Sequence, residues 1–323
     1  MIMRIYSCSL KTWCILSVIG ISIIASPSPA PCYSLIPTRF LFSIEHDFLQ
    51  PSDVAVDAGH RIYVVDGVNH VIKVFDSSGN FLKMFGGFGE ESGKLRSPLG
   101  IAIGKDGSIY VADTGNHRIQ IFSDAGSHRA TIDLPAEKNM KPPDPVDVAI
   151  DETAQRLYVV DNDNHRILIY RLPEARLQAV WGSEGTLRDQ FNYPFFIALG
   201  KDRSVFIVDV INTRVQVWSP NGEPVATIGG WGIDVGRLYR PKGVCVDRDN
   251  YVYVSDSYLG VVQVFNRFGH FKAVLGTESG DVLKTTTPVG ITIDDRQRLY
   301  VVEMMRNRIG VYQILDAVVD KEP

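Results

Sequence analysis

The sequence predicts an all-β fold, a six-bladed β-propeller of four-stranded antiparallel blades, and three observations carry that expectation. A proline opens each of six units, at Pro51, Pro98, Pro145, Pro194, Pro241 and Pro288, with gaps of 47, 47, 49, 47 and 47 residues. An acid closes a β-like run at Asp66, Asp113, Asp161, Asp209, Asp256 and Glu303, with gaps of 47, 48, 48, 47 and 47. Between these markers, β-branched and aromatic runs alternate with turn residues at a spacing of roughly 8–12 residues, which is strand chemistry rather than helix chemistry. Four short strands on a period of about 47 match radial repetition, because a lone sheet with two apolar faces must be covered on both sides by its neighbours.

Each unit reads in the same order. The first strand follows the proline, as in Asp53-Val54-Ala55-Val56 or Gly100-Ile101-Ala102-Ile103, and ends in a polar turn such as Lys105-Asp106-Gly107-Ser108. The second strand carries an aromatic three residues before the acid: Tyr63, Tyr110, Tyr158, Phe206, Tyr253 and Tyr300. The third alternates with period two, as in Ile119-Gln120-Ile121-Phe122 and Val215-Gln216-Val217-Trp218, and ends at Phe75, Phe122, Tyr170, Trp218, Phe265 or Tyr312. The fourth, clearest in Phe81-Leu82-Lys83-Met84-Phe85, runs into a Gly-rich loop leading to the next proline. The two aromatic columns suit the wedge between blades, where each ring can bury about 150–250 Å². Arg39 to Ile44 resembles a fourth strand, whereas the last unit stops after its third strand near Leu315. The N-terminal strand is therefore expected to complete the last blade and close the ring, removing an open edge.

The ends and the composition set further expectations. Residues 1–34 hold Arg4 and Lys11 without an acid, a 13-residue apolar or small run from Trp13 to Ala25, and a Pro/Ser/Ala segment, the layout of a signal peptide. The apolar run is shorter than the roughly 18 residues of a membrane span, so export to the periplasm or outside the cell is expected, with a retained N-terminal anchor as the alternative. The cleavage site stays open between Ala30 and Ser34, as does lipid modification of Cys32. The propeller is assigned to residues 36–316 and a short tail to 317–323. Formal charge is −4 from 33 basic and 37 acidic residues, and removal of the signal leaves −6 without a basic block, which argues against nucleic acid as a partner. Of four cysteines, Cys8 and Cys14 lie in the signal and Cys245 sits in an apolar run, so no disulfide framework is expected.

The turn between second and third strands carries the most distinctive text: Asp113-Thr114-Gly115-Asn116-His117-Arg118 and Asp161-Asn162-Asp163-Asn164-His165-Arg166, with Asp209-Val210-Ile211-Asn212-Thr213-Arg214 close behind. This resembles the NHL repeat, and the resemblance spans residues 40–315. Unit 6 drifts to Glu303-Met304-Met305-Arg306-Asn307-Arg308, and units 1 and 5 place Val71 and Val261 where the arginine stands elsewhere. The resemblance implies a scaffold whose members mostly bind proteins, RNA or small ligands on one face of a disc, with a few enzymes among them, including a metal-dependent peptide-amidating lyase and an antibiotic-ring-opening lyase.

Two readings of the motif stay open. The acid and the arginine five residues later can satisfy each other and nearby backbone donors across the turn, or the arginines can face a ligand. On the second reading the contact surface comprises Asn116, His117, Arg118, Asn164, His165, Arg166, Asn212 and Arg214, while Asp66, Asp113, Asp161, Asp209, Asp256 and Glu303 are structural. A shared metal site for His70, His117 and His165 is not expected, since equivalent third-strand positions lie about 15 Å apart at a strand spacing of ~4.8 Å, whereas zinc ligands converge within about 2.1 Å. His46, His60, His128 and His270 show no ligand spacing. The Gly86-Gly87-Phe88-Gly89 and Gly229-Gly230-Trp231-Gly232 loops read as turns rather than phosphate loops, and no serine-hydrolase or zinc-protease motif occurs. The expectation is an exported binding or assembly module, a monomeric ring without a cofactor, that captures a protein, or alternatively a small ligand, on one face. The enzymatic alternative is a metal-dependent lyase or hydrolase at the central channel, with a single divalent metal left open there.

Overall fold

The computed structural model describes residues 33–315. Nearly all of the expected signal peptide, Cys32 and the tail 317–323 lie outside the described residues. Each repeat folds as an antiparallel meander; in repeat 1 the strands are Pro51–Val56, Ile62–Asp66, Val71–Phe75 and Phe81–Gly86, hydrogen-bonded in that order. Pairing places Pro51 opposite Asp66, Pro145 opposite Asp161, Pro194 opposite Asp209, Pro241 opposite Asp256 and Pro288 opposite Glu303. Proline and acid thus share one end of the sheet. Proline is tolerated there because a strand's first residue need not donate to the ladder. The first strands of successive repeats touch in sequence order, and Pro288–Ile293 touches Pro51–Val56, so the ring closes.

The sheet count corrects the expectation of six separate four-stranded antiparallel blades. Four such blades are present, and the remaining strands form one eight-stranded sheet within the propeller ring. The cause is the N-terminal strand Ser34–Ile44, which is 11 residues long and sits in the middle of that sheet. Its second half pairs antiparallel with Ile309 to Ile314, while its first half pairs in parallel with Ala273 to Thr277 of the preceding repeat, and Thr38 belongs to both pairings. The strand is long enough to leave one sheet edge and reach the next. A strand assumed to end the meander is instead its centre, and the last two repeats merge.

Apolar clusters fill the gaps between neighbouring repeats. One joins Tyr63, Val65, Ile72 and Val74 to Ile101, Ile109, Val111 and Phe122; another joins Tyr300, Val302 and Val311 to Val54, Ile62 and Phe75 across the ring closure. Of the two aromatic columns every ring is buried except Tyr110, which is half-buried. Cys245 is buried as a free thiol beside Tyr253 in the same kind of cluster. The polar residues that alternate along the third strand, Gln120, Gln216 and Gln263, are almost fully buried. Both faces of these strands are covered, so alternation there separates two interiors rather than interior from water.

Candidate binding face

Because proline and acid share one sheet end, the turns after each second strand and the long loops before each proline converge on a single face. The acids organise it. Each accepts the backbone N–H of the residue 17 positions earlier: Leu49 on Asp66, Arg96 on Asp113, Asp144 on Asp161, Asn192 on Asp209, Tyr239 on Asp256 and Thr286 on Glu303, at 2.6–3.0 Å. All six acids are fully buried. The motif acid therefore pins the loop that delivers the chain to the next first strand.

The arginine completes this clasp in four repeats. Arg118, Arg166 and Arg214 donate through Nε to Asp113, Asp161 and Asp209 at 2.8 Å, and Arg308 does the same to Glu303 at 2.9 Å. Asn116, Asn164 and Asn212 donate Nδ2 both to the acid and to a loop carbonyl, those of Gly89, Lys141 and Gly185. His70 and His165 hold the left-handed turn position, at φ 58° and 54°, and their Nδ1 atoms accept the N–H of Ser97 and Tyr193, each the residue before a proline. Across the closure Asn307 Oδ1 takes the same role for Gln50. His117, the most exposed of the eight ligand-surface candidates, has Nδ1 2.6 Å from the carbonyl of Pro143. The ring thus brings these residues to one face, where each also holds a loop in place.

Repeats without the arginine show residues the sequence reading did not single out. In repeat 1, Lys73 Nζ lies 2.8 Å from Asp66, entering from the third strand two residues beyond the missing arginine. Gln120 and Gln216 occupy that same position and donate to Asp113 and Asp209. In repeat 5, Asp256 meets no cation among the described residues and accepts the N–H groups of Tyr239, Arg240, Tyr258 and Leu259. The available signal was a polar residue seven positions after the acid, inside an otherwise apolar strand.

Among the charged groups of these loops the face also exposes large apolar side chains. Trp231 is 74% exposed and Phe88 69% exposed, each at the tip of a Gly-flanked loop. Leu187 lies on the equivalent loop of repeat 4, and Val68, Ile211, Tyr258 and Met305 occupy the second position after the acid in four repeats. These four repeats, 4, 5, 6 and 1, are consecutive around the ring, whereas Gly115 and Asp163 hold the position in repeats 2 and 3. At this turn position the apolar side chains therefore form one arc, which repeats 2 and 3 interrupt.

Two other places gather titratable groups. The first strands line a central channel of about 270 Å³, and Asp53 and Asp147 lie along it. Burial raises Asp53 to about 7 and raises Asp147 well above the carboxylate range, the latter with help from the Asp53 charge. Each carboxylate bridges repeats: Asp53 accepts from Ile101 N and Asp147 from Ile197 N, while their free oxygens lie where a Cβ on Gly290 or Gly100 would stand. Glycine at those positions is required by this close approach. At the opposite end of the sheets, His60 Nδ1 lies 3.8 Å from Asp294 and 3.7 Å from Asp295, a trio that could hold a metal. Asp294 is already taken by Arg298 Nε at 2.7 Å and Tyr300 Oη at 3.0 Å, leaving Asp295 as the uncommitted carboxylate. This grouping of His60 became visible only through ring closure, which sets residues 57–61 against 294–298.

The NHL repeat family model matches residues 48–75, 95–122 and 143–170. No protein of curated function matches the chain. Among solved structures, a streptogramin B lyase aligns with TM-score 0.63 at 14% identity over 86% of this chain and 98% of its own. A virginiamycin B lyase from Staphylococcus aureus aligns at 0.61 and 12% identity over 85% and 99%. A structural genomics protein of unknown function from Bacteroides thetaiotaomicron aligns at 0.63 and 17% identity over 86% and 72%. At these identities the structures share the fold. The chain thus carries three matched NHL repeats within a β-propeller fold shared with these structures.

Proposed function

We propose that the chain is an exported binding or assembly module that captures a protein on the face bearing the motif turns and pre-proline loops. The observation that carries this reading is the apolar arc of Phe88, Leu187, Ile211, Trp231, Tyr258, Met305 and Val68, all on one face. Large exposed aromatics at loop tips cost solubility, and a contiguous set rimmed by polar groups is the signature of a protein-binding surface. Asn116, His117, Arg118, Asn164, His165, Arg166, Asn212 and Arg214 support the surface by fixing the loops. Export rests on the basic, apolar and Pro/Ser/Ala order of residues 1–34.

Affinity purification from the exported fraction, with co-purifying proteins identified, tests this reading. A Phe88→Ser/Trp231→Ser variant is expected to lose a partner that the unsubstituted ring retains, with no change in melting temperature. Equal recovery by both proteins would contradict the reading. A second reading, a metal-dependent lyase or hydrolase at the channel, is favoured by the paired Asp53 and Asp147 carboxyl groups. Stoichiometric zinc or calcium in the purified protein would support it.

A further inference from the structure

The arginine clasp is complete in repeats 2 and 4 and incomplete in repeat 3. Beyond their acids, Arg118 Nη2 donates to the carbonyls of Glu91 and Lys94, and Arg214 donates through Nη1 and Nη2 to those of Thr186, Leu187 and Gln190. Those carbonyls belong to loops folded back on themselves, with bridges between Phe88 and Leu95 and between Glu184 and Phe191. The loop serving Arg166 is different: residues 134–144 contain Pro135, Pro142 and Pro143 and no glycine. Arg166 Nη1 is met by the carboxylate of Glu137 at 2.5 Å and the sulfur of Met140 at 3.3 Å, but Nη2 has no partner although the side chain is only 5% exposed. A buried guanidinium N–H without an acceptor is costly, because its lost hydration is not replaced.

This guanidinium borders a cavity of about 560 Å³ between the 137–143 loop and the loop from Gly182 to Tyr193. Its walls include Lys141, Asp163, His165, Glu184 and Tyr193. The Lys141 ammonium already lies in it, 3.5 Å from Asp163 and 5.8 Å from the Tyr193 ring centre, on a side chain more than half exposed. Asp163 and Glu184 line it, with Glu137 on Arg166 Nη1 beside them, and Lys141 is held there by Asp163; Asp144 close by is raised to about 6 by burial and by the charges of Asp163 and Asp161.

We propose that this cavity binds a segment of polypeptide, which places a main-chain carbonyl oxygen on Arg166 Nη2 and a basic side chain against Asp163, Glu184 and the Tyr193 ring. The carbonyl follows from what the same N–H groups take in repeats 2 and 4. The basic side chain follows from the acidic wall and from Lys141, which occupies the position as an internal competitor. Glu137 and Met140, both exposed on the loop above, are the groups that give way. The inference rests on the reading of this face as a protein-binding surface and adds the chemistry of the partner at one point on it.

The probe is acetyl-Gly-Lys-Gly-amide, titrated into the isolated protein with backbone amide shifts followed by NMR. Saturable shifts confined to residues 137–143, 163–166, 182–184 and 193 are expected. Lys141→Ala is expected to tighten binding at least threefold by removing the competitor, and Asp163→Asn to weaken it at least threefold. Both positions are on the surface, so neither variant should alter the fold. Acetyl-Gly-Glu-Gly-amide should give no saturable shifts in this region. The proposal is overturned if the lysine peptide does not saturate these shifts, if the glutamate peptide binds as well, if Lys141→Ala weakens binding or leaves it unchanged, or if butylamine alone binds as tightly as the peptide. The titration uses neither Phe88 nor Trp231, so it can fail while capture by the loop tips persists, and the reverse.

Discussion

Repeats 2 and 5 hold the same loop to the same sheet with different chemistry. In repeat 2, Asp113 gathers Arg118, Gln120, Asn116 and the N–H of Arg96. In repeat 5, Asp256 gathers four backbone N–H groups and no cation, and that repeat is instead extended by the parallel pairing of Ser34–Thr38. What the two share is the N–H 17 residues before the acid, a bond present in all six repeats. The acid is therefore the constant part of the motif, and the arginine is one of several ways to compensate its charge. A buried carboxylate is tolerated when enough donors converge on it, whether or not one of them is a cation.

The comparison can be broken most forcefully at the seam. Deleting residues 36–45 takes away the antiparallel pairing and most of the parallel one, together with the buried Ile36, Thr38 and Ile44, and it is expected to destabilise the ring by more than about 5 kcal/mol. An unchanged melting temperature for the truncation would show that the eight-stranded sheet does not hold the ring. The two acids differ next. Asp113→Asn leaves Arg118 without its counter-charge and should cost about 3–5 kcal/mol, whereas Asp256→Asn keeps an acceptor oxygen, strands no cation and should cost about 1–3. Urea denaturation of the two variants measures the difference, and a larger loss at Asp256 would reverse the account.

At the channel the contribution of an acid depends on pH. Asp53 is raised from 3.8 to about 7 by burial, so the folded ring holds its proton more tightly than the unfolded chain. The associated stability is fully present below about pH 4 and is lost as pH rises to about 7. Asp53→Asn, which keeps an acceptor for Ile101 N, should flatten that dependence and gain about 1–2 kcal/mol at pH 8. A steeper loss with pH in the variant would contradict this assignment. The smallest effect is expected at the exposed tips: Trp231→Ser should change stability by no more than about 0.5 kcal/mol in thermal unfolding.

Much of this was legible in the chain itself. The 47-residue spacing of proline and acid gives the repeats, their strand order and the common face, because both markers fall at one sheet end. The eight-stranded sheet was not legible, since no spacing records that Ser34–Ile44 pairs on both edges. The role of Gln120 and Lys73 was hidden by alternation, which looks the same whether the second face meets water or another repeat. The His60 trio and the orphaned Arg166 N–H depend on contacts between residues far apart in sequence or on loop conformation. For Arg166 the sequence does hold a trace: the loop ahead of repeat 3 carries Pro135, Pro142 and Pro143 and no glycine.

Backbone hydrogen exchange of the ring with and without its captured partner is the most direct test of the binding face. The account predicts slowed exchange in the loops 86–95 and 229–238 and in the turns 209–213 and 256–260, with the opposite-end turns 57–61, 104–108 and 294–298 unaffected. Protection concentrated in those opposite-end turns, with the Phe88 and Trp231 loops exchanging as freely as before, would contradict it.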